Sequence, residues 1–143
     1  MNMQPVDFCI KELELNMDVF LGLITTVNHD QVHWKLQPEK WNLLEIICHL
    51  HDEEREDFRT RLQLVLTTPG MGFPSIDPQA WVTQRNYDLQ DFTEVFQKFC
   101  TERRNSIIWL KSLKNSLWDN TFVHEKVGPM SGKFILANWV AHD

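Results

Sequence analysis

A regular apolar stripe near the amino terminus constrains the fold of this chain more than any other feature. Its members are separated alternately by four and three residues: Val6, Ile10, Leu13, Met17, Phe20, Ile24 and Val27. This spacing places all of these side chains on one face of an α-helix. Pro5 suits the first turn of such a helix. The pattern therefore predicts a long amphipathic helix that packs against other helices.

A second helix is predicted to begin after Asn42. Asn42 is a good N-cap, and Glu45 three residues later gives a near match to a capping box. The helix is expected to run to about Leu66. Its apolar arc also contains Glu54 and Asp57, and burying an unpaired charge costs several kcal/mol. We therefore expect these carboxylates to be paired, bound to a metal or exposed in a cleft.

Two more helical patterns complete a bundle. Asp91, or alternatively Asp88, is expected to cap the third helix, and Ser131 to cap a short fourth helix. Residues 67–87, between the second and third helices, contain several prolines and glycines and predict a long irregular connection. Residues 1–143 as a whole predict a single all-α domain, a four-helix bundle.

A cation interrupts the apolar stripe of the third helix, as carboxylates interrupt that of the second. This cation is Arg103. We expect the two interruptions to face each other across the bundle. Arg103 would then either neutralise Glu54 or bind an anionic substrate.

Composition and charge argue against several classes of protein. The net charge of −6 opposes a nucleic-acid partner, because phosphate binding needs a basic face. No signal-peptide pattern is present, and no apolar run approaches the roughly 18 residues of a membrane span. Three widely spaced cysteines predict buried free thiols in a reducing compartment. We therefore expect a cytoplasmic protein that binds neither nucleic acid nor a membrane.

Two histidines with acidic neighbours indicate a metal site. His49 and Glu53 are four residues apart, so a helix presents both side chains to the same point. His142, from the fourth helix, would complete a set of two imidazoles and one carboxylate, which suits iron, zinc or nickel. Asp52 and Asp143 are alternative carboxylates. The competing interpretation is an ordinary histidine–carboxylate ion pair at the helix surface.

The order and spacing of several short motifs resemble the DinB-like (DNA-damage-inducible) superfamily of four-helix bundles. These motifs are Pro38 to Trp41, the interval from Trp41 to His49 with Leu50 following, the loop from Asp77 to Tyr87, and the stretch from Gly128 to Asp143 ending in Ala-His-Asp. The resemblance covers nearly the whole chain.

The resemblance implies an up-down-down-up bundle, often a homodimer, with a divalent metal held by three histidines at one end of a cleft. His49 corresponds to the first histidine and His142 to the second. The third is expected four residues after the second, and the sequence stops at Asp143. Three explanations stay open: truncation of the chain, replacement of the ligand by Glu53, Asp52 or Asp143, and a vacant site. Truncation or loss is favoured over replacement, because a terminal residue is a poorly ordered ligand.

Characterised members of the superfamily include thiol-dependent S-transferases and isomerases. The resemblance therefore implies a metal-dependent enzyme, a transferase or hydrolase, which uses zinc, nickel or iron and acts on a small molecule, with a low-molecular-weight thiol as a further partner. Glu53 or Glu54 would act as the base, and Arg103 would bind an anion. The alternative is a non-catalytic dimeric scaffold, or a small-ligand binding protein with an incomplete metal site.

Overall fold

The computed structural model describes residues 5–73, 75–113, 117–124 and 128–143. In chain order, its helices and strands are α1 (Pro5–Ile24), α2 (His29–His33), α3 (Leu43–Glu53), α4 (Thr60–Thr67), α5 (Pro78–Gln84), α6 (Phe92–Ser112), β1 (Thr121–His124), β2 (Gly128–Ser131) and α7 (Gly132–His142). A π-helical segment, Glu54–Arg59, joins α3 to α4 without a break, and a 3-10 turn, Tyr87–Leu89, follows α5. Among the described residues, no helix is long and apolar enough to cross a membrane.

The predicted helix starts are confirmed by their capping hydrogen bonds. The Asn42 side chain accepts from the Glu45 amide at 2.9 Å, and the Glu45 carboxylate accepts from the Asn42 amide at 2.8 Å, which is a complete capping box. Asp91, rather than Asp88, caps α6, and Ser131 caps α7. These side chains satisfy amide groups that the first helical turn would otherwise leave unpaired.

Two apolar clusters set the direction of the four long helical segments. The first joins the end of α1 to the beginnings of α3 and α6, through Ile24, Leu44, Ile47, Val95 and Phe96. The second joins the beginnings of α1 and α7 to the ends of α4 and α6, through Ile10, Leu13, Leu62, Val65, Leu110 and Ile135. The beginnings of α3 and α6 thus lie beside the end of α1, and the ends of α4 and α6 lie beside the beginnings of α1 and α7. It follows that α3–α4 and α6 run parallel to each other and antiparallel to α1 and α7. The up-down-down-up bundle implied by the family resemblance is therefore confirmed.

The structure differs from the prediction in the connections. The polar stretch before the last helix forms an antiparallel hairpin, in which Phe122 pairs with Met130. Phe73, from the segment after α4, stacks on Phe122 with ring centroids 3.8 Å apart. Strands of four residues are too short to show clear alternation in a sequence. The hairpin helps to cover the second apolar cluster and leads directly into α7.

The second long helix also departs from a simple α-helix. The π-helical segment widens the turn immediately after Glu53, and the Thr60 hydroxyl donates to the Arg55 carbonyl oxygen at 2.7 Å. Periodicity averaged over the whole helix does not reveal such a local change. Segments of this kind are often found at functional sites.

Candidate metal centre

Three side chains that could bind a metal converge near the end of α3. His49 and Glu53 come from successive turns of α3, and His142 comes from the last turn of α7. One potential ligand atom from each side chain lies within 4.8 Å of the others. Glu53 Oε2 is 2.8 Å from His142 Nε2 and 3.5 Å from His49 Nε2. The structure thus brings together the three residues of the sequence-based metal hypothesis.

Aromatic rings form two sides of this group. Trp41 lies against His49, with ring centroids 4.7 Å apart. Phe58, from the π-helical segment, lies 5.1 Å from the His142 ring and stacks on Trp139 at 5.7 Å. These rings leave the His49 side chain only 13% exposed and the His142 side chain 30% exposed. The site is sheltered, and His142 is its most exposed side chain.

The two imidazoles have opposite tendencies to bind a proton. Burial lowers the pKa of His49, although Glu53 partly opposes this effect. The hydrogen bond to Glu53 raises the pKa of His142, more than burial lowers it. We therefore assign a neutral His49 and a His142 whose Nε2–H is donated to Glu53. A metal ion would replace this proton, because a metal ligand must offer a lone pair.

The donor set fits a divalent transition metal. Two imidazole nitrogens and one carboxylate oxygen suit zinc, iron or nickel. His49 Nδ1 is buried and has no hydrogen-bond partner among the described residues, so this ring is not committed to another group. Ligands at about 2.0–2.2 Å from a tetrahedral ion are roughly 3.3–3.6 Å apart. Ring movements on the order of 1 Å would bring the three side chains to that separation.

The alternative carboxylates considered from the sequence are engaged elsewhere. Asp52 accepts the Tyr87 hydroxyl at 2.8 Å and forms an ion pair with Arg85 at 2.6 Å. Asp143 accepts two hydrogen bonds from Arg103, both at 2.6 Å. Of the three candidate carboxylates, only Glu53 lies with the two histidines. The sequence could not distinguish among them, because their partners are distant along the chain.

Glu54 and Arg103, which the sequence predicted to face each other, form a buried ion pair. Arg103 Nε lies 3.0 Å from both carboxylate oxygens of Glu54, and each residue is only 1% exposed. Trp139 Nε1 also donates to Glu54 at 3.0 Å. With Asp143 bound to its remaining nitrogens, Arg103 neutralises carboxylates of the chain itself. These contacts favour the neutralising role over binding of an anionic substrate, and neither side chain belongs to the group of three potential ligands.

This ion-pair cluster fixes the residue that follows His142. The Asp143 side chain is 2% exposed and also accepts a hydrogen bond from Asn16 at 3.0 Å. Residues at the end of a helix usually fray unless tertiary contacts hold them. Arg103 and Asn16 supply those contacts here, so the last turn of α7 holds His142 next to Glu53.

A further carboxyl group near the site was not singled out from the sequence as a functional residue. Asp57 is buried one turn after Glu53 and forms an ion pair with Arg61. Burial raises the pKa of Asp57 to about 6, although Arg61 opposes the shift and Glu53 adds to it. Its position in the apolar arc of the helix was the available signal, but burial and charge environment depend on the tertiary fold.

Comparison with known proteins agrees with this architecture. The family model of the DinB superfamily matches residues 12–143. A solved structure with the same fold is YfiT from Bacillus subtilis, described as a probable metal-dependent hydrolase with an unusual four-helix bundle topology; it superposes with a TM-score of 0.84 at 17% sequence identity, covering 99% of this chain and 81% of that chain. No curated protein matches the chain. Because the family match spans almost all of the sequence, the chain belongs to the DinB superfamily.

Proposed function

We propose that this protein is a metal-dependent enzyme, in which His49, Glu53 and His142 bind a divalent zinc, nickel or iron ion. The observation that carries the proposal is the convergence of these three side chains, with potential ligand atoms within 4.8 Å of one another. Three protein ligands leave coordination positions free for a substrate, as in catalytic rather than structural sites. The description of YfiT as a probable metal-dependent hydrolase supports the same class of chemistry.

The proposed reaction is nucleophilic attack on a small molecule by water or by a low-molecular-weight thiol. When bound, the ion supplies Lewis acidity, which makes water or a thiol nucleophilic near neutral pH. Trp41 and Phe58 shelter the site and limit the access of bulk water. Hydrolysis requires water alone, whereas S-transfer requires that a thiol also reach the ion.

Asp57 is the carboxyl group best suited to accept a proton in this reaction. Its pKa of about 6 is close to neutrality, and efficient general bases have a pKa near the working pH. Glu53 and His142 both influence the pKa of Asp57, and Asp57 in turn raises the pKa of His142. We therefore assign the base to Asp57 rather than to Glu54, since Glu54 is fully committed to Arg103 and Trp139.

We also propose that the protein is a homodimer that associates through the outer face of α1. Four large apolar side chains on this helix are substantially exposed: Phe8, Leu15, Val19 and Leu23. Their spacing of seven, four and four residues places them on one stripe. A double substitution, Val19→Glu with Leu23→Glu, should convert a dimer to a monomer in light scattering. A monomeric native protein would exclude this assembly.

Metal titration tests the proposed centre directly. Chelator-treated protein, titrated separately with Zn²⁺, Ni²⁺ and Fe²⁺, should bind at least one of these ions with one tight site per chain. His49→Ala and His142→Ala should each lower that affinity at least tenfold. A His29→Ala/His33→Ala double variant is the matched control. These two exposed imidazoles, with ring centroids 4.5 Å apart, could bind metal adventitiously.

The outcomes separate the proposal from its alternative. Retention of the tight site in the control, and its loss in the two centre variants, supports the assigned ligands. If the chain binds less than about a tenth of an equivalent of every metal tested, the proposed centre is wrong. A non-catalytic scaffold or small-ligand binding protein would then be the better description.

A further inference from the structure

We propose that a second pocket, distinct from the metal centre, binds a small anion through its carboxylate or phosphate group. The pocket has a volume of about 220 Å³ and lies between α3, the 3-10 turn and α6. Its lining includes Arg55, Arg85, Lys98 and a single carboxylate, Asp52. Glu56 and Glu94, which are not lining residues, pair with these cations, so a ligand must use the donor atoms that the pairs leave unoccupied.

The carboxylate of the pocket is fully engaged by protein groups. Asp52 accepts hydrogen bonds from Tyr87 at 2.8 Å and Arg55 at 2.9 Å, and Arg85 lies 2.6 Å away. His51 also lies 3.3 Å from Asp52. Burial acts to raise the pKa of Asp52, but the bonds from His51, Tyr87 and the two arginines outweigh burial and hold this pKa well below its usual range. Asp52 therefore organises the two arginines and does not itself need a further cation.

Arg85 is held in place before any ligand binds. Its guanidinium lies 4.1 Å from the centre of the Trp81 ring, and Glu56 accepts from it at 2.8 and 2.9 Å. Glu56 and Asp52 already occupy both terminal nitrogens of Arg85. Arg85 therefore fixes the wall of the pocket, and Arg55 and Lys98 are the cations left to bind a ligand.

Arg55 and Lys98 retain N–H groups that can bind a ligand. Both described ion pairs of Arg55, with Asp52 and Glu56, use Nη2. Its Nε has no hydrogen-bond partner among the described residues but is buried, so Nη1 is the nitrogen left for a ligand. Guanidinium groups bind carboxylate and phosphate oxygens through paired N–H groups. Lys98 pairs with Glu94 on the surface, where both side chains are more than half exposed. Such pairs contribute little and exchange readily with a ligand.

The chemistry of the lining favours binding over reaction. Burial and the nearby Asp52 raise the pKa of the Cys48 thiol to about 12. Burial and the hydrogen bond to Asp52 also raise the pKa of Tyr87. Both groups stay protonated at neutral pH, so neither is an activated nucleophile. The pocket can hold an anion but has no group prepared to attack it.

This pocket is separate from the metal centre. None of the three proposed metal ligands lines it. At about 100° per residue, the mean direction of Cys48, His51 and Asp52 lies roughly 130° around α3 from that of His49 and Glu53, although Asp52 itself is only about 60° from His49. The inference therefore does not depend on the proposed enzymatic function.

An NMR titration of the chelator-treated full chain tests this inference. Inorganic phosphate and acetate are added separately at constant ionic strength, and the backbone amides of Cys48, Arg55 and Tyr87 are followed. We expect saturable shifts with at least one of these anions, and the stronger binder shows whether a phosphate or a carboxylate is preferred. Arg55→Gln should weaken binding about tenfold or more, since charged hydrogen bonds are lost.

Further variants keep the test decisive if Arg55→Gln does not fold, and they show whether the anion binds at the metal centre instead. Lys98→Gln changes an exposed side chain and should weaken binding by roughly threefold. Lys111→Gln, the matched control on the same helix, pairs with Glu14 outside the pocket and should have no effect. His49→Ala should also bind the anion normally. Absence of saturable shifts, or equal weakening by Lys98→Gln and Lys111→Gln, would overturn the proposal.

Discussion

Glu53 and Glu54 are neighbours in the sequence and are both buried, but their side chains belong to clusters of different character. Glu54 lies in a closed cluster with Arg103 and Asp143, in which protein groups occupy the charged atoms. Glu53 lies in an open cluster with His49 and His142, which is partly exposed. A closed cluster holds the structure in place, whereas an open one retains the capacity to bind.

The two clusters are also physically linked. His142 and Asp143 are consecutive residues at the end of α7, and the closed cluster holds the second of them. The open cluster therefore depends on the closed one for the position of His142, one of the three proposed metal ligands. Substitutions in the closed cluster should destabilise the fold, whereas removal of a poorly compensated charge beside the open cluster should stabilise it.

Replacing the cation at the centre of the closed cluster should lower the free energy of unfolding most. Arg103→Met leaves the Glu54 and Asp143 carboxylates without their cation, and a buried unpaired charge typically costs about 3–5 kcal/mol. The free energy of unfolding, measured with urea, should fall by about this amount. Arg104→Met, an exposed neighbour on α6, is the matched control and should change it by less than about 0.5 kcal/mol. Equal effects of the two substitutions would show that the cluster does not stabilise the fold.

Removing a charge beside the open cluster should change the free energy of unfolding less, and should raise it rather than lower it. The folded-state pKa of Asp57, about 6, is above its unfolded value, so ionisation of this group disfavours folding as the pH rises from about 4 to 6. Asp57→Asn should therefore raise the free energy of unfolding at pH 8 by about 1–3 kcal/mol and change it little at pH 4.

Asp52→Asn provides the contrast in the same helix. Hydrogen bonds hold the folded-state pKa of Asp52 below its unfolded value, so its ionised form stabilises the fold above about pH 4, and this contribution is lost as the pH falls. At pH 8 this substitution should destabilise the protein. Urea unfolding of Asp57→Asn and Asp52→Asn at pH 4 and pH 8 checks both predictions. If both substitutions change the free energy of unfolding in the same direction at pH 8, the assigned environments are wrong.

Removing one hydrogen bond at the edge of the closed cluster should change the free energy of unfolding least. Asn16→Ala removes one hydrogen bond to Asp143 and leaves both bonds from Arg103 in place. The expected loss is about 0.5–1.5 kcal/mol. Asn105→Ala, at an exposed position of α6, is the control for the substitution itself. Thermal unfolding of both variants would detect the difference, and a larger loss for Asn105→Ala would argue against the role of Asn16.

Features with a local pattern were predictable from the sequence. The capping box of Asn42 and Glu45 and the four-residue spacing of His49 and Glu53 each lie within one or two helical turns, and the apolar stripes repeat from turn to turn. The opposition of Glu54 and Arg103 was also predictable, since charges in apolar stripes require partners. These features depend mainly on helix geometry.

Features that depend on contacts between distant residues were not predictable in the same way. Asp143 is 40 residues from Arg103 in sequence, and either Asp143 or Asp52 could have been the third ligand until their partners were known. The pocket around Arg55 combines two long helical segments and a turn, so no single stretch reveals it. The π-helical segment and the short hairpin give no distinctive periodicity.

The central claim, that one of two adjacent glutamates binds metal and the other stabilises the fold, is tested most directly by the metal-dependent rise in melting temperature. Glu53→Gln should melt near the wild-type temperature without metal and lose most of the rise on addition of the preferred ion. Glu54→Gln should melt at a lower temperature without metal but keep a clear rise. If Glu53→Gln keeps the full rise, or Glu54→Gln alone abolishes it, the assignment of the two clusters is wrong.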